Sequence, residues 1–294
     1  MAEPDLLATC WTTAGDALPL PGRDVSPLPL RSRVDAAAAA GFTGFGLMHA
    51  DLAAFLETSD LETLRLLFDD NGFSSVELEF LTDWWLKGPA RKASDETLRL
   101  LVAAAEVLRP HHVKVGPDIH GGTYDNDHWA AQFHRVCDAF ASVGTSVALE
   151  FMPFSNISTL REGITLVETA GHPGGGLMVD LWHVRRSDLS LDELGKLPRR
   201  LLKGVEMDDG DAEPDGDPYT DTVLRRKLCG QGEFDVPAFI NVMKSLGWDG
   251  PWGVEILSET YRVRPLAEAV HDAYTTAHDQ FTVAGKLRSS ATDR

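Results

Sequence analysis

Apolar strand-like runs alternate with helical-period segments along the whole chain, and the alternation repeats eight times. The runs fall at residues 6–11, 45–48, 75–80, 112–115, 145–150, 175–180, 201–207 and 252–256. Between them, helical spacing covers 30–40, 60–70, 94–110, 126–143, 158–170, 189–197, 236–246 and 261–281. Continuous apolar strands suit a parallel sheet covered on both faces. With 294 residues the chain could form one large barrel or two ordinary domains. The strict alternation, the count of eight and the lack of a low-complexity linker favour a single closed (β/α)8 barrel, a TIM barrel, over residues 1–285. Residues 286–294 are expected to form a disordered polar tail. A doubly wound dinucleotide fold is disfavoured, because the turn at 12–16 has no G-x-G-x-x-G.

Local signals mark several boundaries. Asp60 is a good N-cap, Asn71-Gly72 closes the same helix, and Ser94 with Thr97 opens the next. Gly41 and Gly144 stop two others.

Composition removes several function classes. Forty-five acidic against 27 basic residues give a net charge of −18, the wrong sign for a phosphate-backbone partner, so nucleic acid is not expected. Part of that excess is local, in the acidic stretch 208–221. No apolar run approaches bilayer length, the N-terminus lacks secretory-signal features, and Cys10, Cys137 and Cys229 form neither a disulfide framework nor a zinc-finger spacing. The expected location is cytoplasmic, with a small-molecule ligand; a homo-oligomer is allowed.

In a parallel α/β protein, ligands bind at the C-terminal ends of the strands. Four strands of the second half end in carboxylates: Glu150, Asp180, Glu206 and Glu255. One such residue alone is ordinarily a helix cap or a loop ion pair. Four converging on one mouth would repel unless a cation lies among them. A single divalent ion is the simplest resolution, and an all-oxygen set favours Mn²⁺ or Mg²⁺ over Zn²⁺. Glu77, Glu79, His49 and His120 divide between substrate contacts and ordinary loop groups. Lys114 is either a substrate-binding cation or the partner of a nearby acid. Trp11, Trp84 and Trp85 lie at strand tops and could wall a sugar ring, whereas Trp182, Trp248 and Trp252 read as packing residues.

Several segments resemble the sugar phosphate isomerase/epimerase group with the xylose isomerase-like barrel. They are Ala148-Leu149-Glu150, Val179-Asp180-Leu181-Trp182-His183, the run from Arg226 through Leu228-Cys229-Gly230-Gln231-Gly232 to Asp235, and Gly247-Trp248-Asp249-Gly250-Pro251-Trp252-Gly253-Val254-Glu255-Ile256. That group includes ketose 3-epimerases, inosose dehydratases, 3-dehydroshikimate dehydratases and, more distantly, endonuclease IV. The resemblance implies that Glu150, Asp180 and Glu255 ligate one divalent ion, that Glu150 and Glu255 also move protons, and that His183 and Arg226 contact substrate; Glu77, Lys114 and His120 stay further substrate-binding candidates from their positions alone. Glu206 stands where the group usually has a histidine or glutamine ligand; its extra charge would weaken the ion as a Lewis acid. Cys229 departs from the group's usual proline.

The activity so implied is proton transfer beside a carbonyl, through an enediolate, in a sugar, keto-sugar or cyclitol. A lyase expelling a β-substituent, with His183 or His120 as general acid, is the alternative. A barrel that binds a sugar-like ligand without catalysis is the second.

Overall fold

In the computed structural model, which describes residues 3–292, the eight strands close into one parallel barrel in sequence order. They are β1 (Leu6–Ala8), β2 (Gly44–Met48), β3 (Ser75–Leu81), β4 (His112–Val115), β5 (Ser146–Glu150), β6 (Gly175–Asp180), β7 (Leu202–Met207) and β8 (Trp252–Val254). β1 pairs with β8, Leu7 opposite Gly253, so the sheet has no edge. The helices pack outside it on a continuous apolar core that includes Phe45, Leu149, Val179 and Phe239.

The barrel interior is more polar than uninterrupted apolar strands would make it. Period-two alternation in β3 and β4 sends Glu77 and Glu79, and His112 and Lys114, to one face of each strand. These side chains meet partners across the barrel lumen: Glu77 Oε2 lies 2.6 Å from His112 Nε2, and the Lys114 ammonium reaches β7. All four are buried.

Several element ends differ from the sequence expectation. β1 stops at Ala8 because Cys10–Thr13 forms a helical turn. From that turn the Thr12 hydroxyl donates to the Val254 carbonyl (2.6 Å) and accepts from the Ile256 N–H (3.0 Å), bracketing Glu255. The helix expected to open at Ser94 begins at Gly88 with proline in its first turn and runs to Leu108. Ser94 is internal, its hydroxyl donating to the Thr82 carbonyl. Asp60 does cap its helix, accepting from the Thr63 N–H.

Three further helices, His49–Leu56, Leu181–Arg186 and Pro218–Leu224, were not expected. The last has its start signal in plain view, Asp217 capping Tyr219 and Thr220 ahead of Pro218, but it lies inside the acidic stretch that reads as irregular. The final helix spans Leu266–Thr292, entering the stretch expected as a tail from residue 286; residues 293–294 lie outside the described residues. No described helix is long and apolar enough to cross a membrane.

Candidate active site

Glu150 and Asp180 end β5 and β6, Glu206 is the penultimate residue of β7, and Glu255 directly follows β8. Barrel closure brings one ligand atom from each within 4.8 Å of the others. Glu150, Asp180 and His183 form a second, overlapping group at the same spacing. All five residues are buried.

The neighbouring chain fixes each carboxylate. Glu206 lies opposite Gly253 in the β7–β8 register, where a Cβ would come within 2.7 Å of the Glu206 Cγ, so only glycine leaves that side chain its path. Asp180 caps the helix Leu181–Arg186, its Oδ1 accepting from the His183 N–H at 3.2 Å. That helix turns the His183 Nε2 to 3.2 Å from Glu150 Oε1.

Two permanent cations are threaded among these acids. The Lys114 ammonium lies 2.7 Å from Glu206 Oε1, 2.9 Å from Glu255 Oε1 and 2.9 Å from Glu79 Oε2. Arg226 places Nη1 2.6 Å from Asp180 Oδ2 and 3.1 Å from Glu255 Oε2, and pairs with Asp208 as well. Its guanidinium lies over the Trp182 ring, and Nε and Nη2 donate to the Thr222 hydroxyl. Protein cations therefore relieve part of the expected repulsion.

The relief is partial. Among the described residues, six carboxylates crowd here, those of Glu79, Glu150, Asp180, Glu206, Asp208 and Glu255, and Lys114 and Arg226 are the only permanent cations paired with any of them. Burial and the Glu255 charge hold the Glu206 carboxyl well above its usual range, and burial with Asp180 does the same to Asp208. Burial pushes Glu255 up to about 7 against the pull of Lys114 and Arg226. Burial would also raise Glu150, but the Lys114 ammonium and the His183 hydrogen bond hold it below its ordinary value. Asp180 is held low against burial by Arg226 and His183.

Glu206 Oε2, Asp208 Oδ1 and His183 Nδ1 are buried without a hydrogen-bond partner. Unpartnered acceptor oxygens beside excess negative charge, in a compact carboxylate group, fit a divalent cation.

Above the acids opens a cavity of about 180 Å³. Glu79, Lys114, Glu150, His183, Arg226 and Glu255 line its floor, and its walls are largely apolar: Trp11, Met48, Phe80, Met152, Phe154 and Leu257. Tyr219, from the unexpected helix, packs edge-on against Phe154 and donates its hydroxyl to the Pro19 carbonyl at 2.9 Å, tying together the loops that follow β7 and β1.

Other expected site residues lie elsewhere. The Glu77 carboxylate is deeper in the barrel on His112 and does not line the cavity; burial pushes it up to about 8 and takes His112 down to about 3. His120 is exposed on the loop after β4, its N–H donating to Asp118, and also does not line the cavity. His49 accepts from the Phe80 N–H, and burial lowers its pKa. Of the three strand-top tryptophans only Trp11 reaches the cavity; Trp84 and Trp85 pack with Trp129 outside the barrel.

Sequence reasoning missed Asp208 as a site residue. It lies two positions beyond Glu206, the spacing that returns a side chain to the same face of an extended chain, and that signal was available.

Asp209 explains the glycine-rich run that follows Arg226. Its carboxylate accepts from the N–H groups of Gly230 (2.8 Å), Gly232 (2.9 Å), Phe234 (2.9 Å) and Gly210 (2.8 Å). Its own backbone pairs with Lys227, next to Arg226. Asp209→Ala is expected to cost about 2–3 kcal/mol by orphaning these donors, read as a lower urea midpoint. An unchanged midpoint would show that the clamp does not hold the loop.

The model of the xylose isomerase-like TIM barrel matches residues 34–276. Inosose isomerase of Bacillus subtilis (strain 168) is 25% identical over 147 residues, 49% of this chain and 52% of that protein. The chain thus spans about half the length of the first curated relatives it matches. Inosose isomerase of Bacillus velezensis is 25% identical over 246 residues, 77% of this chain and 78% of the relative. Among solved structures, the IOLI protein with a binding zinc atom superposes with a TM-score of 0.81 at 18% identity, covering 95% of this chain and 99% of that one.

Proposed function

Because the chain belongs to the xylose isomerase-like TIM-barrel family, we propose that it is a metal-dependent isomerase or epimerase of a sugar, keto-sugar or cyclitol. The observation that carries this is the convergence of Glu150, Asp180, Glu206 and Glu255 beneath an apolar-walled cavity. These four residues would hold one divalent ion, Mn²⁺ or Mg²⁺ by the hardness of the donor set, with Zn²⁺ its competitor where His183 joins Glu150 and Asp180. When bound, such an ion supplies Lewis-acid polarisation of a substrate carbonyl.

The two proton-moving groups are Glu150 and Glu255. In the metal-free chain their environments push their proton affinities apart: burial raises Glu255 to about 7, whereas the Lys114 ammonium and the His183 hydrogen bond hold Glu150 below its ordinary value. Glu150 removes the proton beside the carbonyl and Glu255 returns one to the resulting enediolate. His183 orients Glu150 through its Nε2 contact, and Arg226 orients Glu255. The apolar walls accept the C–H faces of a ring and keep water from the intermediate.

Metal-loaded protein incubated in deuterium oxide with a panel of ketoses and inososes tests the reading. NMR should detect deuterium entering the carbon beside the carbonyl; no exchange in any member of the panel would remove the proposal's basis.

A second reading, β-elimination from the same enediolate, is favoured by one observation. His183 lines the cavity with its Nδ1 unpartnered, available as a general acid for a leaving hydroxyl. A conjugated enone absorbance growing with substrate consumption selects this outcome over epimerisation.

The Glu255 shift also predicts how stability depends on pH. A carboxyl whose pKa rises from its ordinary 4.5 to about 7 on folding binds its proton more tightly in the folded chain. Its contribution is therefore complete below pH 4.5 and is lost as pH rises through 7. Metal-free wild type should lose stability relative to Glu255→Gln between pH 5 and 8, measured as the difference in Tm. A difference that stays constant would contradict the shift.

A further inference from the structure

The ammonium of Lys114 has three N–H donors, and three buried carboxylate oxygens, from Glu79, Glu206 and Glu255, lie at hydrogen-bonding distance from it. No donor is left for a substrate, although Lys114 lines the cavity floor. Its stem crosses the barrel from β4 to the ends of β7 and β8, and among the described residues it is the one cation paired with Glu206. Glu206 gives one oxygen to that ammonium and keeps the other, Oε2, buried and unpartnered.

We propose that Lys114 is a built-in counter-charge for Glu206: it cancels most of that carboxylate's charge while leaving one oxygen free, so that Glu206 joins the metal set as a nearly neutral donor. The assignment rests on the metal-dependent reading above and adds to it a positioning residue that tunes how strongly the ion is held. Without the ammonium, Glu206 and Glu255 would present their full charge to an ion; without Glu206, the ammonium would stand close to the ion as a repelling neighbour. The two residues must therefore act in opposite directions on metal affinity.

The test is isothermal titration calorimetry of chelator-treated protein with Mn²⁺ alone and with Zn²⁺ alone, at constant pH and salt. Lys114→Met, close to isosteric, should bind either ion more tightly than wild type, and Glu206→Gln more weakly, each by on the order of tenfold or more for charges a few ångströms apart in a buried site. The double variant should return to within a few-fold of wild type.

Lys114→Met should also melt at a lower temperature than wild type without metal and gain more in Tm when metal is added, a reversal that a lysine serving only to hold the barrel together would not produce. An unchanged or weakened affinity in Lys114→Met overturns the proposal. If that single variant does not fold, the comparison moves to Glu206→Gln against the charge-balanced double variant, where adding Lys114→Met must restore affinity; continued weak binding overturns it equally. Wild type that binds neither ion overturns the metal reading itself, and this assignment with it, an outcome distinct from binding that ignores Lys114.

Discussion

Under the proposed activity, Glu150→Gln is expected to lower turnover of a keto-sugar or cyclitol substrate by on the order of 10³-fold, the range in which removal of a positioned base falls. The substitution keeps the size of the side chain and an oxygen toward His183, so the fold and the melting temperature should change little. The reason for so large an effect is specific to the residue. Of the two carboxylates proposed to move protons, Glu150 is the one held below its ordinary pKa, by the Lys114 ammonium and the His183 hydrogen bond against the penalty of burial. An amide in its place cannot accept the proton. Deuterium exchange at the substrate carbon should fall in parallel with net turnover, because both need the same abstraction. Metal content measured on the same preparation separates loss of the base from loss of the ion. Activity within tenfold of wild type would mean that another group removes the proton.

The largest effect on stability is expected at Arg226. Its guanidinium, 2% exposed as a residue, is shared by Asp180, Asp208 and Glu255, and Asp208 Oδ1 already lacks a partner. Arg226→Leu leaves buried acids without their counter-ion, a change that costs about 3–5 kcal/mol. Chemical denaturation of metal-free protein should report that loss as a shifted midpoint with an unchanged slope. Because the cost comes from uncompensated charge more than from lost packing, Asp208→Asn placed on Arg226→Leu should recover part of it. A double variant no more stable than Arg226→Leu would show that the cost lies in packing against Trp182.

Much of this architecture was legible in the sequence because strand count and strand-end chemistry are local signals. Glu150, Asp180, Glu206 and Glu255 each end or adjoin an apolar run, and barrel closure does the rest. What the sequence left open was the counter-charge: Lys114 reads there either as a substrate-binding cation or as the partner of a nearby acid, and Arg226 as a substrate contact, and only closure brings β4 opposite β7 and β8 and carries the segment after Leu224 back over β6. For the same reason Glu77 read as a mouth residue: a strand shows which face a side chain takes but not its depth along the barrel axis, and the His112 layer lies one two-residue step below the Lys114 layer. The helix Pro218–Leu224 was hidden by its acidic neighbours even though Asp217-Pro218 is a sound start signal.

The Asp209 clamp bears on how such chains are recognised at all. Cys229-Gly230-Gln231-Gly232 looks like active-site vocabulary, yet its glycine amides serve to tie one loop to one carboxylate. The tie needs only backbone amides and one carboxylate, so this segment can stay folded whether or not the acids beneath it turn over a substrate.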